Sequence, residues 1–294
     1  MAEMTRRRGL TGYLLLVPGV VWLALFFVIP FYSLVAASLF DPGGSVFSGY
    51  EMTWHVQNYW DALKEYGKPN SWSDWGPLLR SFWYAGLSTV ICLVLGYVLA
   101  YAIAFKAGRW KNLMLVLVIA PFFTSFLVRT LAWKLILGDD GPVVSVLQAV
   151  HILGADGRLL ATPVAVIAGI VYNFLPFMVL PLYASLDKID HRLIEASGDL
   201  YANPFVGFFK VTWPLSLPGV VSGTLLTFIP AAGDYINAQL LGSTNQRMIG
   251  NVIQNLFTDA NDYPAAAALS MILMVVIIAM VLFYVRRAGT EELL

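Results

Sequence analysis

The chain has 294 residues, 59% of them hydrophobic and only 12% charged, with a mean hydropathy of +0.71, a balance that excludes an ordinary soluble domain because a water-facing surface needs far more charge. The formal net charge is zero, so no general basic field is present to attract nucleic acid. The single cysteine, Cys92, lies in the apolar run STVICLVLGY, where no internal disulfide is possible and a small buried hydrophobe is expected.

A bilayer core of ~30 Å needs about 20 apolar residues in a helix. The chain predicts about six such spans, and hence an all-α integral membrane protein. After a cytoplasmic segment 1–12, the membrane domain is expected over 13–286. The first run starts at Tyr13. Arg6, Arg7 and Arg8 precede it and VAAS ends it, as in a signal peptide, but at roughly twice the length of a usual h-region it reads as a retained signal-anchor. An outer loop, 41–79, follows. The second run starts at Ser81, and the third at Asn112, with Arg129 and Lys134 inside it. The fourth starts at Thr162, where Pro176 and Pro181 are expected to break the helix. A polar stretch, 187–214, separates it from the fifth run, which starts at Leu217 and carries Asp234. The last begins at Pro264 and leaves a tail at 287–294.

Basic residues set the orientation. The N-terminus, the Lys106–Lys111 loop, the stretch 187–214 and the C-terminal tail hold eleven of the eighteen Lys and Arg residues. The remaining loops and flanks hold only Lys64, Lys68, Arg80, Arg158 and Arg247. By the positive-inside rule both termini and the polar stretch are cytoplasmic.

That stretch contains EASGDLYANPFVGFFKVTWP, from Glu195 to Pro214. In a helix Glu195 and Asp199 share one face. Ala196, Ser197 and Gly198 give a slim profile, and Asn203-Pro204 then ends the helix. A short cytoplasmic helix held between two spans can pass a push from a soluble partner to both. The alternative is a solvated connecting loop with ordinary capping carboxylates.

E-A-S-x-D-L-x-A followed by V-x-W-P resembles the EAA loop of ABC importer permeases, with Glu195, Ala196, Ser197, Val211, Trp213 and Pro214 in matching places. One departure stands out: the family glycine is replaced by Tyr201, which does not tolerate a left-handed turn cheaply. Pro121–Trp133, Tyr172–Asp190 and Phe228–Ile253 resemble the spermidine/putrescine permeases of the PotB type. The resemblance implies a MetI-like type I permease fold in the bacterial inner membrane. It also implies a second, related permease subunit, two ABC ATPase subunits and an extracytoplasmic substrate-binding protein, with surrounding lipid. Glu195, Ala196, Ser197, Gly198, Asp199 and Pro214 would then couple to the ATPase.

The remaining motifs agree with that division of labour. No G-x-x-x-x-G-K-[ST] occurs, since Gly67-Lys68 is followed by proline, so ATP and Mg are expected on the partner ATPase and no cofactor on this chain. His55, His151 and His191 stand far apart, without metal-ligand spacing. No hydrolase signature is present, so no catalytic residues and no metal are expected.

Ionisable groups inside a membrane are costly unless they meet a partner or a cavity. A polyamine is a chain of ammonium groups, which carboxylates and aromatic faces attract. Asp234 and Tyr235 offer both, with Trp133, Tyr172 and Asn173 as candidates from other spans. Equally open is an ion pair of Asp234 with Arg129 or Lys134. Arg129, a fixed cation, suits gating or packing better than substrate binding. Pro176 and Pro181 either expose carbonyls to a cavity or kink the span for packing. Seven aromatics of the outer loop (Tyr50, Trp54, Tyr59, Trp60, Tyr66, Trp72 and Trp75) suit a membrane belt or a landing surface for the binding protein. Two other functions stay open: the same architecture importing another small solute, and a non-transporting membrane anchor or enzyme subunit.

Overall fold

The computed structural model describes residues 15–44, 49–66, 76–154 and 156–288. Arg6, Arg7, Arg8, Trp72 and Trp75 lie outside the described residues. Within them the fold is all-helical apart from isolated bridging at Phe40 and Met52. Twelve helices follow in order: α1 Leu15–Ser38, α2 Gln57–Tyr66, α3 Pro77–Lys106, α4 Gly108–Phe123, α5 Phe126–Ile136, α6 Pro142–Ala149, α7 Pro163–Leu186, α8 His191–Asp199, α9 Pro204–Ala232, α10 Ile236–Leu241, α11 Ile249–Thr258 and α12 Tyr263–Ala288. Among the described residues five (α1, α3, α7, α9 and α12) are long and apolar enough to cross a membrane, and α4 with α5 makes a sixth if the bent pair is one span.

Three spans differ from their expected form. The third is broken, with α4 and α5 meeting at 94°. Pro121 opens a 3₁₀ turn there, and Thr124 and Ser125 are extended, so the helical ladder stops and restarts. The fourth is not broken: α7 runs through both Pro176 and Pro181 for 24 residues. Close neighbours override the two local breakers. A Cβ on Gly219 of α9 would lie 2.7 Å from the Pro181 carbonyl, and one on Gly223 would lie 2.8 Å from the Met178 sulfur. The fifth starts at Pro204, well before Leu217. A π-turn, Phe208–Thr212, lets the Trp213 N–H reach the Phe208 carbonyl just ahead of Pro214.

The described residues form two compact units. In the larger, α3, α7 and α9 surround fully buried Met178, Leu182 and Leu186, with Cys92 and Ala100 against them. Lipid tails are as apolar as these side chains, so such helices associate through close packing rather than hydrophobic transfer. Small residues provide the approach: a Cβ on Gly96 would meet Met178 at 2.9 Å. A second cluster joins Tyr84 and Ala85 of α3, Ile170 and Phe174 of α7, Ala231 of α9 and Leu241 of α10.

The smaller unit contains α1, α2 and residues 255–274. Asn58 donates to the Ser38 and Phe40 carbonyls at 3.1 and 2.8 Å, capping the end of α1. Tyr50 stacks on Phe40, meets Tyr263 edge-on, and donates to the Asn261 carbonyl at 2.5 Å. Two of the outer-loop aromatics therefore turn inward, since the Tyr59 hydroxyl also bonds Ser38 at 2.6 Å. Trp54 and Trp60 stay outward, 69% and 54% exposed.

Candidate functional site

Helix α9 ends at Gly233, and Asp234 and Tyr235 occupy the break before α10. Asp234 is thus an interhelix residue, and its carboxylate organises the break. Oδ1 accepts the N–H groups of Ile236 and Asn237 at 2.9 and 3.3 Å, satisfying two of the free donors of α10. Oδ2 accepts Asn237 Nδ2 at 2.5 Å. The expected alternative, an ion pair of Asp234 with Arg129 or Lys134, is not formed, because these nearer donors hold both oxygens.

From Asn237 the bonding continues into two other helices. Asn237 Oδ1 accepts Asn173 Nδ2 of α7 at 3.1 Å and faces the Thr130 hydroxyl of α5 at 3.3 Å. Asn173 Nδ2 also reaches that hydroxyl, at 3.2 Å. The single Thr130 proton is shared between Asn237 and the Phe126 carbonyl at 3.1 Å. All four side chains are buried. Gly169 permits the contact, since a Cβ there would come within 2.7 Å of Asn237 Oδ1. Asn173 Oδ1 has no donor among the described residues.

Of the five predicted pathway residues, Asp234 and Asn173 belong to this knot. Trp133 and Tyr172, neighbours of the knot on α5 and α7, meet edge-to-face at 5.4 Å. Tyr235 turns its side chain to the surface, 36% exposed, while its carbonyl accepts Asn251 at 2.7 Å. Sequence reasoning missed Thr130 and Asn237. The available signal was their type: polar residues inside membrane runs serve to join helices. Arg129 lies on α5 beside the break and is nearly buried, with its guanidinium over Phe122 and Phe126 at 5.2 and 5.6 Å. Lys134 is exposed.

The loop after α7 is built differently. Asp190 caps α8 by accepting the Arg192 N–H at 3.0 Å. Ile194 packs inward, and His191 meets Phe105 edge-on at 5.4 Å. Ser197 Oγ lies where a Cβ on Gly207 would come within 3.0 Å, so the start of α9 passes close to α8. Glu195, Ala196, Gly198, Asp199 and Pro214 are exposed. A cavity of about 590 Å³, lined in part by Pro181, Ser185, Lys188, Asp190, Leu193 and Ser222, flanks the C-terminal end of α7 and the middle of α9.

Helix α8 ends in a Schellman turn: the Ala202 N–H bonds the Ser197 carbonyl at 3.1 Å, and the Tyr201 N–H bonds that of Gly198 at 2.9 Å. Tyr201 stands at the left-handed position of the turn with φ 60°. The left-handed turn that glycine would suit is therefore formed here with a tyrosine. The tyrosine ring gains no packing in exchange, being 99% exposed beside Leu200 at 82% and Phe205 at 71%.

Comparison with known proteins gives a consistent result. Residues 92–288 match the family described as binding-protein-dependent transport system inner membrane component. The chain is 37% identical over 265 residues to the spermidine/putrescine transport system permease protein PotB of Haemophilus influenzae, covering 90% of each chain. It is 35% identical over 272 residues to PotB of Escherichia coli K12, covering 92% of this chain and 96% of that one. The fold resembles that of a chain in the crystal structure of a bacterial ABC transporter importing the acidic polysaccharide alginate, with a TM-score of 0.74, 17% identity and 98% of both chains covered.

Proposed function

We infer that this chain, which belongs to the binding-protein-dependent transport system inner membrane components, is the permease subunit of an ATP-driven importer that moves polyamines of the spermidine/putrescine class by alternating access. The observation carrying the substrate class is the identity of 35–37% to spermidine/putrescine permeases over nine-tenths of the chain. Family membership makes it a multi-pass protein of the bacterial inner membrane and sets aside the anchor or enzyme-subunit alternative.

In this reading an extracytoplasmic binding protein delivers the solute and a second permease subunit completes the pathway. Two ATPase subunits bind ATP and Mg. Both termini and α8 face the cytoplasm, as the basic-residue asymmetry supports. Glu195, Ala196, Ser197, Gly198, Asp199 and Pro214 form the coupling face, because α8 is capped, short and joined to two spans, and displays its polar side. The outward Trp54 and Trp60 suit the landing of the binding protein. Asp234 acts at the α9–α10 break. Its oxygens are engaged by Asn237 and α10, so a solute ammonium reaches the carboxylate only as the break rearranges. Trp133 and Tyr172 supply aromatic faces beside it, Tyr235 an exposed ring and Asn173 the link to α7. Arg129, with Pro176 and Pro181 of the neighbouring α7, serves packing and gating.

The test is ATP-dependent uptake of labelled spermidine into proteoliposomes holding the whole complex. Wild type is expected to transport. Asp234→Asn should lose uptake yet keep ATPase stimulation by the binding protein. Glu195→Ala should lose that stimulation by roughly 5- to 150-fold, the range of an intersite coupling of about 1–3 kcal/mol. A complex that ignores spermidine but hydrolyses ATP on demand with another solute would overturn the polyamine assignment and leave the permease standing.

A further inference from the structure

The cavity of about 590 Å³ beside α7 and α9 is built in two tiers. Helix α7 is 24 residues long, about 36 Å at 1.5 Å per residue, so its last residue, Leu186, reaches the edge of a hydrocarbon core ~30 Å thick. Lys188 and Asp190 follow it and form the mouth of the cavity, at headgroup level. Pro181 lies about 8 Å deeper along the helix and faces Pro218 and Ser222 of α9, at the level of acyl chains.

Each tier has its own chemistry. At the mouth, Lys188 and Asp190 are both exposed, two residues apart, and not paired with each other. The Lys188 ammonium has no partner among the described residues. Asp190 gives Oδ1 to the Arg192 N–H, which leaves Oδ2 free. The neighbouring Asp187 is already held by Lys111 and Tyr183. The depth is apolar: Pro181 and Pro218 present ring carbons, and Ser222 gives its proton to the Pro218 carbonyl at 2.6 Å. Leu193 of α8 and Leu215 of α9 line the same cavity and are 48% and 45% exposed, so apolar surface runs up to the charged mouth. A polyamine carries ammonium groups along its whole length and would leave some of them in that apolar depth, where an unpaired charge is costly.

We propose that this cavity holds a phospholipid whose headgroup joins a phosphate to a primary ammonium, as in phosphatidylethanolamine. Lys188 meets the phosphate, the free Asp190 oxygen accepts from the ammonium, and an acyl chain follows Pro181 and Pro218 inward. A headgroup with a phosphate alone would set its charge beside Asp190 with nothing to offset the repulsion. A quaternary ammonium has no N–H to donate. Asp190 also caps α8, so the headgroup is tied to the first turn of that helix. The site requires only that the chain spans a membrane, and it is independent of the polyamine assignment.

The test is photolabelling of the complete transporter in detergent by phosphatidylethanolamine carrying a diazirine on one acyl chain, with the crosslinks mapped by mass spectrometry. Labels are expected on segments 181–193 and 215–222. Unlabelled phosphatidylethanolamine should displace the probe. Phosphatidylglycerol, which lacks the ammonium, should do so about two- to fivefold less well, the range of one exposed ion pair. Asp190→Asn keeps the α8 cap, since asparagine caps as well as aspartate, and should erase that preference. Lys188→Gln should weaken both lipids by a similar factor. If either variant fails to accumulate, the competition in wild type decides. Equal displacement by the two lipids in wild type, or a preference that survives Asp190→Asn, overturns the proposal. Displacement by free phosphoethanolamine as effective as by the lipid overturns it as well, since the ligand is then a soluble one. No label on either segment in the intact transporter does the same, because protein then covers the groove. Selective labelling in a transporter that ignores spermidine upholds the site while the polyamine assignment fails.

Discussion

The knot around Asn237 and the turn at Tyr201 answer the same demand in opposite ways. Each ends one helix and begins another, and each carries carboxylates. In the knot Asp234, Asn237, Asn173 and Thr130 are buried, and their bonding is directed at one another. In the turn Glu195 and Asp199 stand in the open, and an aromatic ring is held outward on a left-handed residue. The difference lies in the solvent. At membrane depth no water replaces a missing partner, so the chain must satisfy its own polar groups. Outside the membrane water does so, and side chains are left free for another molecule. The knot is thus a joint between helices, and the turn is a handle.

The comparison breaks most sharply at Asn237. Asn237→Ala strands Asp234 Oδ2 and takes from Asn173 Nδ2 one of its two acceptors, and losing a hydrogen bond to a buried charged group costs about 1.5–3 kcal/mol. The loss should appear as a lower unfolding midpoint of the purified permease in detergent. Thr130→Val removes two ordinary interhelical bonds, to Asn173 and Asn237, each worth about 0.6 kcal/mol, and should cost about 1 kcal/mol. Equal effects from the two would mean that Asp234 is not held by the knot.

Next in size is Gly219→Ala. The added Cβ would lie 2.7 Å from the Pro181 carbonyl and 3.1 Å from the Leu182 Cα, both backbone atoms that cannot swing aside. Overpacking of this kind costs about 1–3 kcal/mol, measured by the same unfolding experiment. Gly198→Ala serves as the control from the handle, because a Cβ there meets nothing within 4 Å. A cost at Gly198 equal to that at Gly219 would erase the distinction between packed joint and open handle.

The spans were legible because about 20 apolar residues leave few alternatives. The stretch 187–214 was legible because its polar run interrupts them. Breaks were read less well. Pro176 and Pro181 look like breakers in a one-dimensional reading, yet α7 passes through both, held by close contacts with Gly219 and Gly223 that only the three-dimensional arrangement reveals. The true break of the third span, at Thr124 and Ser125, has ordinary residues for such a membrane run. Asp234 was found from its charge, but its partner was misjudged. Long-range charge attraction suggested Arg129 or Lys134, whereas a residue three positions on, presented by the first turn of α10, is nearer. Thr130 and Asn237 carry no charge and escaped notice, although the same membrane logic applies to them.

The smallest effect on stability belongs to Tyr201. A residue with a Cβ resists φ 60°, and glycine adopts it freely. Tyr201→Gly therefore relaxes the Schellman turn while returning some entropy to the unfolded chain, and the two nearly cancel. The unfolding midpoint of the permease should stay level or rise by no more than about 2–4 °C. A ring that is 99% exposed contributes nothing to the chain's own packing, so its retention at a strained position points to contact with another molecule. The expected outcome is a permease as stable as before whose ATPase stimulation is weakened, with Tyr201→Phe keeping most of it because the ring, rather than the hydroxyl, fills the contact. Unchanged stimulation with Tyr201→Gly would make the turn a structural relic, and α8 would then couple through Glu195 and its neighbours alone.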